Sequence, residues 1–381
     1  MHPIVIIPGM GGSVLVKRGM ERRRFLHTHI IDNRWLNIEP FSPFRMDKWK
    51  KDNTLELEYD DKDKIKGYKN YDTDIIPHDL GGTEGISNIA PELSCLDDDH
   101  KLRFDSKFNH TYFAQLCHQL RENHGYRDYT TLHGLPYDFR TILDPIVRFY
   151  TFMTLQKLIE WTVKMNQTKA VICSHSLGGL LFKLFIGEHV SQEWVDKYIH
   201  RFVAINVPWG GVPNSVKICY FGDYYVPFFR EQFRDYLKTN SGVIMTLPNH
   251  NAYNHDEVFL TASNAITGVT EHVNLKSFSD NPHISFKIWR DLYSETVKHL
   301  EKKVAMNAVI VNGCGFRVGT RYRNSTVIET DDGDSVVPKR SLNAFQGLFV
   351  QDNRLLHINL ANTQGHVGIL KDPRILRILL C

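Results

Sequence analysis

Nowhere does the chain carry an apolar run approaching the roughly 18 residues that a membrane-crossing helix needs. The N-terminal MHPIVIIPG also lacks the charged segment and long apolar stretch of an export signal. These absences lead us to expect a soluble chain, cytoplasmic or peripherally membrane-bound, or secreted or lysosomal if a leader has been trimmed. Three N-x-[ST] triplets, at Asn109, Asn166 and Asn324, are weak evidence the other way, since such triplets arise often by chance. Cysteine is sparse: the six residues Cys95, Cys117, Cys173, Cys219, Cys314 and Cys381 show neither C-x-x-C nor a pairing with histidine of the metal-binding kind. No disulfide framework, zinc site or other cofactor is expected. Charge of one sign is missing too. With 46 Lys and Arg against 43 Asp and Glu, the net +3 is too small and too scattered for a nucleic-acid partner. The densest basic run, Lys17-Arg18 with Arg22, Arg23 and Arg24, reads first as a solvated loop. Its second reading is contact with anionic headgroups, worth about 1 kcal/mol per cation. No G-x-x-x-x-G-K-[ST] phosphate loop, internal repeat or low-complexity tract is present.

What the chain does have is a rhythm of short apolar runs ending in Gly, Pro or Asp: IVIIPG (4–9), TTLHGLPYD (130–138), AVICSHS (170–176), FVAINVPWGG (202–211) and AVIVNGCG (308–315). Between them lie segments with apolar residues at helical spacing, such as 112–125 and 149–165. Strands alternating with helices predict an α/β protein with a mostly parallel sheet covered on both faces, and ligands at the carboxyl ends of its strands. A length of 381 residues fits one large core with insertions. Two stretches break the alternation: residues 26–90, with Trp35, Phe41, Phe44 and Trp49 among prolines, and residues 212–300, rich in aromatics. Both are expected to wall a binding cleft.

The segment AVICSHSLGGLLF (170–182) runs from a β-type stretch through a tight Ser-His-Ser-Leu-Gly-Gly turn into a helical one. A serine nucleophile on such a turn has a strained backbone, so the residues two before and two after must be small. Ser176 has Ser174 before and Gly178 after; Ser174 has Ile172 before it. Ser176 is therefore the candidate, although Ser174 replaces the usual first glycine of G-x-S-x-G. The competing reading is a serine that merely caps the following helix.

A serine hydroxyl needs a histidine to take its proton, and the histidine needs an acid to hold its tautomer and stabilise its cation. In this class of fold the chain order is Ser, acid, His. ETDDGDSVVP (329–338) offers Asp331, Asp332 and Asp334; the one after the turn glycine, Asp334, is chosen, with Asp332 the fallback. His366 follows Gly365 and precedes a helical tail, whereas His357 sits inside an alternating stretch and reads as structural. An oxyanion hole needs two backbone N–H groups, one from the residue after the nucleophile and one from an early glycine-rich loop. These fall on Leu177 and, within IPGMGGS (7–13), on Met10. Asp138 and Arg140 in PYDFR are within reach of one another and read as a structural ion pair.

PIVIIPGMGGS, WLNIEPFSPFRMDKW (35–49), PYDFR (136–140), SHSLGG (174–179), VPWGG (207–211), FGDYYVP (221–227), DGDSVV (332–337) and GHVGIL (365–370), in this order, resemble the lecithin:cholesterol acyltransferase and lysosomal phospholipase A2 family over most of the chain. The resemblance implies an α/β-hydrolase core with a cap insertion and a small membrane-interface insertion. It assigns the nucleophile to Ser176, the acid to Asp334, the base to His366 and the oxyanion donors to Met10 and Leu177. The reaction it implies is cleavage of an acyl ester of a glycerophospholipid through an acyl-enzyme, followed by transfer to an alcohol or water at a membrane surface. Trp35, Phe41, Phe44 and Trp49 become the candidate membrane contacts, and Trp209-Gly210-Gly211 would line the cleft. The departures are two missing family disulfides: Lys48 stands at one cysteine position, and SLNAFQG (341–347) has no cysteine. Their loss fits a reducing compartment or a lid held by packing alone. A carboxylesterase or neutral-lipid esterase with the same triad is the alternative, and an inactive lipid-binding hydrolase fold the remoter one.

Overall fold

The computed structural model describes residues 1–17, 54–69, 75–88, 112–222, 230–263, 267–350, 352 and 354–381. Trp35, Phe41, Phe44 and Trp49, with Arg18, Arg22, Arg23, Arg24 and Cys95, lie outside the described residues.

Six strands form the core sheet: β1 Ile4–Ile7, β2 Leu132–Gly134, β3 Ala170–His175, β4 Ile199–Ile205, β5 Ala308–Cys314 and β6 Leu355–Ala361. Their order is β6-β5-β4-β3-β1-β2 and every neighbouring pair is parallel. A parallel sheet is buried on both faces, so its strands read as continuous apolar runs rather than alternating ones. Ile4, Val5, Ile6 and Ile7 are all fully buried. Because side chains alternate across a strand, Val5 and Ile7 face Phe152 and Leu155 of α2 (Pro145–Asn166) and Leu181 of α3 (Leu177–Glu188). Ile4 and Ile6 face the other way, toward Leu116 and Leu120 of α1 (Ala114–His124) and Ile375 of α4 (Pro373–Leu380). Each such isoleucine contributes about 1.5–3 kcal/mol of apolar burial. After β1 the chain goes to β2 on one side, then returns to β3 on the other. The switch point, where ligands bind in such sheets, is therefore the carboxyl end of β1 and β3.

Helix ends follow local chemistry. Asp144 accepts from the N–H groups of Ile146 (2.9 Å) and Val147 (3.1 Å), and Pro145 supplies the first helical position of α2. Gly125 takes a left-handed φ of 68° to end α1. The pairing of Asp138 and Arg140 is present, with Oδ2 to Nη2 at 2.8 Å and the arginine buried.

Residues 54–69 and 212–300 are joined to each other. The Tyr68 hydroxyl donates to Thr239 O (2.8 Å) and lies 2.9 Å from Ser241 Oγ, while Ile65 N–H donates to Asp291 (2.9 Å). Between β5 and the acid-bearing turn the chain makes an antiparallel hairpin, Phe316–Arg323 with Thr326–Gly333, which adds Leu260–Ser263 and Thr270–Val273 to form a second, four-stranded sheet. Much of 329–338, read from sequence as loop, is thus the end of a strand. Trp209 is a second correction. It is 1% exposed, with its ring edge-on to Phe349 in the main core, so its side chain packs the interior rather than lining a cleft. Among the described residues the five cysteines are free, and no helix is long and apolar enough to cross a membrane.

Candidate active site

Ser176 alone separates β3 from α3, and its backbone sits at φ 53°, ψ −128°. A non-glycine residue in this region carries strain on the order of 1–3 kcal/mol, which persists only where neighbours over-determine it. Those neighbours are identifiable. Ser176 N–H donates to Ile205 O (2.9 Å), and a Cβ on Gly178 would overlap the Ile7 and Pro8 carbonyl oxygens at the end of β1. This is the physical reason for a small residue two places after the serine. Ser174, in the other small position, is fully buried, and its hydroxyl has no hydrogen-bond partner among the described residues.

The loop after β1 lies directly against this turn. A Cβ on Gly9 would stand 2.8 Å from Ser176 Cβ and 3.2 Å from His175 O, so only glycine lets the two backbones approach so closely. Met10, next along, is half-buried. Leu177 opens α3, where an N–H has no intrahelical acceptor. Among the described residues neither the Met10 nor the Leu177 N–H donates to a backbone carbonyl.

The three residues chosen from sequence come together at the switch point. His366 Nδ1–H donates to Asp334 Oδ2 at 2.6 Å, which leaves Nε2 to accept from the Ser176 hydroxyl at 2.9 Å. Asp334 is completely buried, and its other oxygen accepts from the N–H groups of Val336 (2.9 Å) and Val337 (2.7 Å). The carboxylate is thereby held in one orientation with both oxygens occupied. His366 is 9% exposed, follows Gly365 at φ 77°, and donates its own N–H to Ser335 Oγ (3.2 Å).

The competitors are elsewhere. Asp332 accepts from Gly315 N–H (2.9 Å) and pairs with Lys339 (3.3 Å). Partial burial works against its charge, but those two donors outweigh it and its carboxyl stays below the ordinary range. His357 on β6 lies 3.0 Å from Asn312 Nδ2, and burial lowers its pKa.

Sequence reasoning missed a second layer. His175 Nε2–H donates to the His366 carbonyl (2.9 Å), which also accepts from Asn206 Nδ2 (3.0 Å); Asn206 Oδ1 in turn accepts from Gly313 N–H (2.7 Å). Tyr112 Oη, 2.5 Å from His175 Nδ1, accepts from Gly9 N–H at 2.9 Å. The only signal for His175 is its place beside Ser176; nothing local points to Tyr112, 63 residues away. Among the described residues no group of three His, Cys, Asp or Glu side chains is placed to hold a metal.

A parallel sheet flanked by helices on both faces, with a strained serine between the third strand and its helix at the switch point, defines an α/β-hydrolase fold. The chain belongs to the lecithin:cholesterol acyltransferase family, whose sequence model matches residues 29–314. That span includes Ser176 and ends before Asp334 and His366. The mouse (Mus musculus) lysosomal phospholipase A and acyltransferase is 27% identical over 271 residues, 68% of this chain and 60% of that protein. An Arabidopsis thaliana lecithin-cholesterol acyltransferase-like 1 is 30% identical over 243 residues, 57% of this chain and 51% of that one. The chain thus spans between about half and three fifths of the length of the lysosomal relatives it matches. Among solved structures, a chain of the Tle4–Tli4 complex is covered to 98% at 12% identity with a TM-score of 0.47, too distant to argue from.

Proposed function

We propose that this protein is a serine-dependent lipid acyl hydrolase and O-acyltransferase acting on glycerophospholipids, with Ser176 as nucleophile, His366 as general base and acid, and Asp334 as the acid that orients it. The observation carrying this reading is the continuous hydrogen-bonded line from Ser176 Oγ to His366 Nε2 (2.9 Å) and from Nδ1 to buried Asp334 (2.6 Å). A serine that only capped α3 would have no call for that alignment, and Ser176 makes no side-chain cap bond. Lipid substrates follow from family membership and from what the relatives are named for.

In the proposed reaction His366 Nε2 takes the Ser176 proton as Oγ attacks the ester carbonyl carbon. The Met10 and Leu177 N–H groups stabilise the resulting oxyanion, a contribution of about 3–4 kcal/mol per donor where such donors have been removed. Collapse breaks the ester C–O bond, His366 protonates the departing lysophospholipid, and the acyl group stays on Ser176. Water or an alcohol then loses its proton to His366 and attacks the acyl carbonyl. This releases a fatty acid or a new ester and returns the proton to Ser176. The segment 212–300 serves as the cap, since a Cβ on Gly242 would stand 3.1 Å from the Leu177 side chain at the elbow. The segment 26–90 serves as lid and membrane contact through Trp35, Phe41, Phe44 and Trp49.

The test is incubation with phosphatidylcholine vesicles containing a sterol and a ceramide, with Ser176→Ala as control and products resolved by mass spectrometry. Lysolipid together with fatty acid, acyl-sterol or acyl-ceramide, all dependent on Ser176, is the expected result. Ser176-dependent cleavage of a soluble ester with silence on vesicles would instead make the protein a carboxylesterase.

A further inference from the structure

Two loops must hold register for the proposed acyl transfer: the glycine-rich loop carrying Met10 and the turn carrying His366. His366 sits on a short helical turn, Gly365–Gly368, and Met10 on a loop, and no shared helix or strand joins the two. One buried side-chain chain spans the gap. Gly9 N–H donates to Tyr112 Oη (2.9 Å), Tyr112 Oη lies 2.5 Å from His175 Nδ1, and His175 Nε2 lies 2.9 Å from the His366 carbonyl oxygen. The carbonyl can only accept, so His175 carries its proton on Nε2. Nδ1 is then an acceptor, and the Tyr112 hydroxyl must donate to it. Tyr112 and His175 are each 1% exposed, and Gly9 and Gly12 both pack directly on Tyr112.

We propose that Tyr112 and His175 are positioning residues, a buried bridge that sets the oxyanion-donor loop and the base-bearing turn in mutual register. The role rests on the serine acyl-transfer reading above. Charge does not confuse the assignment. Burial, with the His366 ring 4.7 Å away, holds His175 well below the ordinary histidine range, and burial raises the Tyr112 hydroxyl well above its own. Both shifts favour the neutral forms, so the bridge is an uncharged orienting element. A lost bond leaves buried polar groups unpaired. It also frees loops whose displacement by about 1 Å can cost about 100-fold in rate.

The test compares fluorophosphonate inactivation of wild type, Tyr112→Phe, His175→Asn and His175→Gln. Asparagine can still accept from Tyr112 but is too short to reach the His366 carbonyl; the glutamine amide nitrogen reaches where Nε2 stands. Tyr112→Phe and His175→Asn should slow inactivation by about 10–100-fold and lower kcat on a soluble ester equally, with KM within about twofold. His175→Gln restores the bond to the His366 carbonyl but offers Tyr112 no acceptor, so it should lose about as much as Tyr112→Phe does. Wild-type rates in Tyr112→Phe and His175→Asn, or in His175→Gln, would overturn the bridge, as would losses confined to KM or matching the melted fraction. Labelling of wild type but not Ser176→Ala tests the serine reading separately. ¹⁵N-histidine NMR of the resting protein reads the bridge whatever Ser176 does: a neutral Nε2–H tautomer at His175 is expected, and an Nδ1–H tautomer refutes it.

Discussion

At the scale of single residues, the choice among three aspartates turns on what each carboxylate already does. Asp334 has one oxygen on His366 and the other on two backbone N–H groups, whereas Asp332 is committed to Gly315 and Lys339. Asp334→Asn keeps the shape but cannot stabilise an imidazolium, so kcat should fall on the order of 10³–10⁴-fold. Asp332→Asn should stay within about threefold; equal losses in the two variants would return the choice to open. Ser174 makes the opposite kind of prediction. Its buried hydroxyl lacks a partner among the described residues, and an unpaired buried polar group costs about 1–3 kcal/mol. Ser174→Ala removes one oxygen and adds nothing, so the melting temperature should hold or rise; a fall of several degrees would mean the hydroxyl has a partner. The elbow was legible in sequence because its requirement is local, small residues two either side of a strained serine. Tyr112 and His175 were not, since their meeting depends on α1 packing beneath β1 and β3.

At the scale of elements, α3 is coupled to the last helix of the 212–300 insertion, Ser294–Glu301, by a buried lysine. Lys183 Nζ donates to the carbonyls of Leu300 (2.6 Å) and Lys302 (2.8 Å), which α-helical geometry leaves unpaired at a C-terminus. Burial, reinforced by Lys302 and only partly offset by Glu301, brings its pKa down to about 7 from 10.5. Between those values the unfolded chain binds a proton that the folded one does not, so stability rises with pH across that window. Below about pH 7 both states bind it and the cost, on the order of a few kcal/mol, is fully present. Lys183→Met should therefore flatten the rise in denaturation midpoint between pH 7 and 10, a slope readable by urea titration at several pH values. A slope the same as wild type would assign it to other groups. Elements of this interior kind were predicted well, because β1, β3 and β5 are continuous apolar runs. The hairpin Phe316–Gly333 escaped notice because its second strand is largely exposed and its pairing is interrupted by register shifts near Arg321, leaving no clean alternation to read.

At the scale of the whole molecule, both long segments that broke the βα rhythm had the same expected role, and the described parts of them are fastened together. Tyr68, Ile65 and Lys287 with Asp63 and Asp291 tie residues 54–69 to the far insertion, and Tyr68 N–H also reaches the cap of α2 through Asp144 (3.0 Å). A surface that must take substrate from a bilayer gains little from a nucleophile alone; it needs apolar side chains that enter the interface ahead of it. Trp35, Phe41, Phe44 and Trp49 have the composition for that depth, with apolar rings beside Arg45 and Lys48. Each ring fully withdrawn from water is worth about 1.5–3 kcal/mol, so losing two partly inserted rings should weaken vesicle partitioning by about 10–100-fold. Replacing Trp35 and Phe41 by serine should produce that loss in a sedimentation assay with phosphatidylcholine vesicles, while kcat/KM on a soluble ester stays within about twofold. If the rings pack the insertion onto the core instead, the pattern reverses: vesicle binding is retained, and the melting temperature and soluble-ester turnover fall together.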